Sequence, residues 1–255
     1  MHYNVLFNGC SFTYGIELQG IDNNLDKQTK NRFSHLVSEK LNLTYQNISN
    51  QGVSNDWIVE STIKWFEEGN TCDIAVIQLT AKARTVWYKN NKAFNFAPGL
   101  IVDKKYLKFP ILDYFLEHGA LDPLRLYYKK VYSDYMGDQN FYKNLFLLEN
   151  FFKNKKIKTI FLSLCKIPKP NDGWKSLCKT KKIQHIINTG MEGHPIDEDP
   201  LDYGLIGNRY TNPENFCQEL YQSTKNYDLI GTRPNELGHQ KIANYIIEQI
   251  NIHNQ

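Results

Sequence analysis

A chain of 255 residues is long enough for one α/β domain with a substantial core. Its 41% hydrophobic and 22% charged residues are those of an ordinary globule, and a net charge of +3 without a basic run interleaved with aromatics argues against a nucleic-acid groove. No apolar stretch reaches membrane-spanning length, and the N-terminus runs into an apolar strand pattern with no room for a signal peptide.

The first element is an apolar run through Val5, Leu6 and Phe7 that stops at Gly9-Cys10-Ser11. It predicts a β-strand ending in a tight turn, with Ser11 exposed at the carboxyl end of the strand, where open α/β sheets bind ligands. Phe33, Leu36, Val37 and Leu41 recur at helical spacing and predict a helix over 31–41. Residues 43–48 alternate like a second strand and end in the turn-rich stretch Ser49 to Asp56. A helix over 56–68 follows, with Ser54 or Asn55 as its N-cap. Residues 72–79 form a near-continuous apolar run, which predicts a parallel strand covered on both faces.

After the polar loop Thr80 to Arg84 the pattern breaks down, and 87–123 reads as an irregular insertion or a short hairpin. Residues 124–135 and 141–152 read as aromatic-rich helices, and 158–164 as another core strand. The stretch 171–211 is weakly patterned and reads as a long loop, apart from a short strand or helix near 182–187. Helices are expected over 212–223 and over 234–250, the latter opened by Pro234. Strands alternating with helices make a parallel sheet with right-handed crossovers the economical topology. One domain with no internal repeat follows. Five cysteines without zinc-type spacing suggest free thiols in a reducing, cytoplasmic setting.

Three loops, Gly9 to Gly15, Ser49 to Asp56 and Thr80 to Arg84, converge on one sheet edge, and a fourth, Gly231 to His239, enters the last helix. In order and placement these blocks resemble those of the SGNH hydrolases, the GDSL-type esterases and lipases. The resemblance implies a three-layer α/β/α fold with a flavodoxin-like parallel sheet. It carries the nucleophilic serine to Ser11 and the oxyanion-hole glycine to Gly52. A carbonyl attacked by Ser11 would place its negative charge against the N–H groups of Ser11 and Gly52, each such donor contributing about 3 kcal/mol. The family's third-block asparagine corresponds to Lys82, with Arg84 and Gln78 nearby as further donors. An arginine there favours an anionic substrate group.

The fourth block departs from the family pattern, because Arg233 stands where the catalytic histidine is usual. An arginine stays protonated and cannot act as general base near neutral pH. Three possibilities remain open: His239 reaches the serine, another histidine such as His194 does, or the triad is absent. The first two describe a serine hydrolase of an acyl or acetyl ester, with a small molecule or a carbohydrate as substrate. The third describes a module on the same scaffold that binds a sugar or anionic ligand through Ser11, Asn55 and Arg233. A nucleotide-binding flavodoxin-like protein is a weaker third class, since the first loop lacks phosphate-binding glycine spacing. No metal or organic cofactor is implied.

Overall fold

The computed structural model describes residues 1–19, 25–89, 92–96, 121–163, 187–188 and 236–252. In chain order the first half holds β1 (His2–Asn8), α1 (Ser11–Tyr14), α2 (Leu25–Asn31), α3 (Phe33–Leu41), β2 (Tyr45–Asn47) and α4 (Asn55–Glu67). Next come β3 (Thr71–Leu79), β4 (Thr85–Lys89), β5 (Lys92–Phe96), α5 (Leu121–Leu126) and α6 (Asp134–Asn154). The described chain ends with β6 (Lys158–Ser163), the short β7 (Ile187–Asn188) and α7 (Glu236–Ile252).

One sheet is parallel throughout, in the order β2-β1-β3-β6-β7. This is the flavodoxin-like order, whose topological switch point lies between its first and third strands. Strand residues alternate between two apolar layers, as a period of two requires. Val5, Phe7, Val76, Ile160 and Leu162 pack with Phe33 and Val37 of α3 and with Ile242, Ala243, Ile246 and Ile250 of α7. Leu6, Ala75, Ile77, Leu79 and Phe161 pack on the other face with Ile58, Val59 and Phe66 of α4 and with Phe141, Leu145 and Phe152 of α6. Helices therefore cover both faces, giving three layers. No described helix is long and apolar enough to cross a membrane.

The elements differ from the sequence pattern where a backbone group finds a distant partner. The helix expected over 31–41 is α3 and starts at Phe33, while α2, not expected from the sequence, precedes it; Arg32 between them has an extended backbone at φ −71° and ψ 143°. Arg32 offers no side-chain cap to α3, and the N–H of Phe33 is taken instead by His239 Nδ1 at 3.0 Å. Ser54, one of the expected caps, opens α4 and accepts the Trp57 N–H at 3.3 Å. A π-helical turn, Tyr127–Val131, follows α5, and Ser133 then caps α6 by accepting the Met136 N–H. Within the expected insertion, β4 and β5 form an antiparallel hairpin. The helix expected over 212–223, nearly all of the 171–211 stretch, and residues His194 and Arg233 lie outside the described residues.

Candidate active site

The carboxyl edge of the sheet is lined by buried polar side chains: Asn8, Ser11, Thr13, Asn55, Gln78 and Thr80. Polar groups withdrawn from water need partners, and here the partners are the loops themselves. Gln78, one residue from the end of β3, accepts the Cys10 N–H at 3.0 Å and the Thr13 hydroxyl at 3.3 Å. This draws the turn after β1 onto the neighbouring strand across the switch point. Gly9 permits the approach, since a Cβ there would stand 2.7 Å from Gln78 Cβ and would also strike Thr13 Oγ1. Asn8 donates from its carboxamide to Ser61 Oγ at 2.9 Å and Thr62 Oγ1 at 2.8 Å, pinning the strand end to α4.

Ser11 is thereby set at the sheet edge as the first residue of α1, but it is not open to solvent as expected: it is 4% exposed. The reason is the grip of Gln78 on both sides of it, which folds the α1 turn back against the strand ends. The Ser11 N–H donates no hydrogen bond to another described residue, as expected at a helix start.

The loop bearing Gly52 joins the same edge. Asn50 N–H donates to Gly9 C=O at 3.2 Å, extending the β1–β2 pairing into the loops. Asn47 reinforces it by donating to Thr13 C=O at 3.1 Å and Ser34 Oγ at 3.0 Å. Gly52 has φ +68°, a left-handed conformation that favours glycine, and nothing lies within 4 Å of where a Cβ would stand. Its N–H has no acceptor among the described residues. The following residues are clamped from the hairpin side: Arg84 Nη1 donates to Val53 C=O at 3.3 Å, and Ser54 N–H donates to Asn95 Oδ1 at 2.9 Å.

Asn55, expected to touch a ligand, instead closes a two-bond bridge to the third loop. Its Nδ2 donates to Thr80 C=O at 3.0 Å, and Thr80 N–H donates to its Oδ1 at 2.8 Å. Both polar atoms of the carboxamide are engaged. Lys82, expected near an oxyanion, is instead held in ion pairs with Asp134 at 2.8 Å and Asp138 at 2.7 Å on α6. An ammonium held by two carboxylates is a poor donor to a third anion. Gln78 is likewise engaged and positions the Ser11 turn.

Lys82 and Arg84 both line a cleft of about 450 Å³ between the third loop, the start of α4 and the start of α6. Asp56, Tyr127, Tyr132 and Lys143 also line it. Asp56 is neutralised there, accepting from Asn140 at 2.7 Å and from Lys143 and Asn144 at 3.2 Å each. Burial, with Asp56 adding to it, pushes the Tyr127 hydroxyl pKa above its ordinary value despite a hydrogen bond to Thr85 that lowers it.

His239 is fully buried and stacks on Phe33, with ring centroids 5.5 Å apart and planes 23° apart. Burial, assisted by the positive charge of Arg32, lowers its pKa to about 3. The ring is therefore neutral, and because Nδ1 accepts from Phe33 N–H its single proton sits on Nε2. A ring in that tautomer has no lone pair left for the Ser11 proton, so the structure gives His239 the task of capping α3. His2 pairs with Thr71 and Asp73 at the opposite sheet edge, and His35 meets the Tyr45 hydroxyl. Among the described residues no imidazole is hydrogen-bonded to Ser11.

Asn8, Asn47 and Thr80 carry much of this network and were not singled out by the sequence reading. The signal available for Asn8 was a polar residue closing an apolar strand, at the last position of β1; Asn47 closes the three-residue β2, Tyr45-Gln46-Asn47, where no such contrast marks it.

No protein-family model matches the chain, and no curated protein matches it. The solved structures similar at low identity include three esterase-type proteins. A carbohydrate esterase, described as having divergent catalytic and non-catalytic binding functions in its active site, is 11% identical at a TM-score of 0.44. That match covers 97% of this chain, which spans only 64% of the esterase's length. Esterase EstA from Pseudoalteromonas sp., inhibited by monoethylphosphonate, is 11% identical at a TM-score of 0.43, over 97% of each chain. A G-D-S-L family lipolytic protein from Desulfitobacterium hafniense DCB-2 is 12% identical at a TM-score of 0.25, over 62% of this chain and 76% of that one.

Proposed function

We propose that the protein is a serine hydrolase of carboxylic esters, with Ser11 as nucleophile and the N–H groups of Ser11 and Gly52 as oxyanion donors. The observation that carries this reading is the placement of Ser11. It follows β1 at the switch point of a parallel sheet, and the Gly52 loop is hydrogen-bonded to the same turn through Asn50 and Gly9. Both N–H groups lack acceptors among the described residues, so neither must break a bond to receive a developing oxyanion. The bare backbone at Gly52 leaves room for an acyl group. A cytoplasmic location is part of the proposal, and the free thiols of Cys10 and Cys72 support it.

A specific observation favours a second reading, a binding module on the same scaffold. Serine is a weak nucleophile without a neighbouring base, and His239 is turned to Phe33. Ester hydrolysis thus requires a base from outside the described residues, such as His194, whereas binding of a sugar or anion requires none. A fluorophosphonate probe separates the two. Prompt labelling that Ser11→Ala abolishes supports the hydrolase. No labelling of the wild type, and none gained in Arg233→His, supports the binding module and overturns the hydrolase.

A further inference from the structure

The cleft beside the third loop holds one cationic side chain without an ion-pair partner among the described residues. Three cationic side chains line it, Lys82, Arg84 and Lys143. Lys82 is held between Asp134 and Asp138, and Lys143 lies 3.2 Å from Asp56. Arg84 has no carboxylate partner among the described residues; its one hydrogen bond there, 3.3 Å long, runs from Nη1 to the Val53 carbonyl. A guanidinium has five N–H donors in a planar fork, so one neutral acceptor leaves most of that fork unused.

The remaining wall is aromatic. Tyr127 and Tyr132 line the cleft with ring centroids 6.3 Å apart, and Met136 and Tyr135, both exposed, stand at its rim. An aromatic wall with a thioether favours a flat or ring-shaped ligand body over a compact ion. The volume of about 450 Å³ falls in the range of small-molecule sites. A single guanidinium fork without a carboxylate partner offers a paired seat to one carboxylate. A phosphate dianion would call for a second free cation, and Lys82 and Lys143 are already occupied.

We propose that this cleft binds a ring-bearing monocarboxylate, with the carboxylate paired to the Arg84 guanidinium and the ring against Tyr127 and Tyr132. The assignment does not depend on Ser11 being a nucleophile. It gives Arg84 two contacts at once, the ligand on one side and the carbonyl next to Gly52 on the other.

The test is binding, followed by protein-observed NMR titration, of two acid and amide pairs: glucuronate against glucuronamide, and benzoate against benzamide. Each pair differs in charge and little in shape, and the tighter acid tells a sugar ring from an aromatic one. The expected result is a preference for the acid of about tenfold or more in at least one pair, lost in Arg84→Gln and partly kept in Arg84→Lys. Met136→Trp, which fills the rim, should weaken the same acid. Unchanged binding in Ser11→Ala separates this site from the hydrolase reading, which the fluorophosphonate probe tests alone. Equal affinity for acid and amide in both pairs, tighter binding of inorganic phosphate than of either acid, or a preference that survives Arg84→Gln would overturn the proposal.

Discussion

The carboxamide of Asn55 satisfies both backbone groups of Thr80, giving one hydrogen bond and receiving the other. Asn55 opens α4 and Thr80 leaves β3, so this pair fixes the second and third loops relative to each other. Both residues are buried, so a lost bond is not replaced by water. Asn55→Ala should lower unfolding free energy by about 1–3 kcal/mol in urea titrations, as expected for stranding buried backbone groups. Asn55→Asp should cost at least as much, because it sets a carboxylate against the Thr80 carbonyl. A neutral Asn55→Ala would mean the bridge does not hold the loops.

Gly9 and Gly52 should respond differently to alanine. At Gly52 the space is open and the penalty is the left-handed backbone alone, about 1 kcal/mol. At Gly9 the added methyl meets Gln78 and Thr13, and overpacking of this kind reaches the upper part of about 1–3 kcal/mol. Denaturant midpoints of the two variants decide the matter, and equal losses would contradict the close approach of the first turn to β3.

His239 predicts the direction of the pH dependence. Its pKa is about 3 in the folded protein, below the ordinary 6.5 of the unfolded chain. As pH falls the unfolded chain takes up the proton first, so the contribution is complete above about pH 6.5 and is lost from there towards about pH 3. Between pH 7 and 5 this residue should account for about 2 kcal/mol of lost stability. In His239→Gln, whose amide oxygen can still accept the Phe33 N–H, that part of the slope should vanish. An unchanged slope would show that His239 titrates normally.

Cys72 is 6% exposed, and burial is the main cause that pushes its thiol pKa up to about 12. A disulfide reagent at pH 8 should leave Cys72 unmodified in the native protein and modify it fully in denaturant, as peptide mass mapping would read. Rapid native modification would place β3 at the surface rather than beneath α4 and α6.

Much of the architecture follows from hydropathy alone. The apolar run of residues 72–79 needs cover on both faces, and β3 lies between two helical layers. The alternation of strand and helix patterns led to the parallel order because a crossover helix leaves few other solutions. The partner of the Phe33 N–H at the α2–α3 break was not legible, since it is a histidine 206 residues away in the chain. The same distance hid the task of His239: the sequence places it at the end of the fourth block, while packing turns its Nδ1 onto Phe33.

By itself, then, the sequence determined where the strands end and which polar and glycine residues stand at those ends, because local periodicity and turn chemistry need only near neighbours. Tertiary structure alone decided what each polar group meets. Asn55 and Gln78 became braces between loops, Lys82 was drawn to two aspartates on α6, and Arg84 was left lining a cleft with no carboxylate partner among the described residues. A buried hydrogen-bonding group takes whichever partner the packed layers bring within reach, and that partner is set by the assembled sheet and helices rather than by position along the chain.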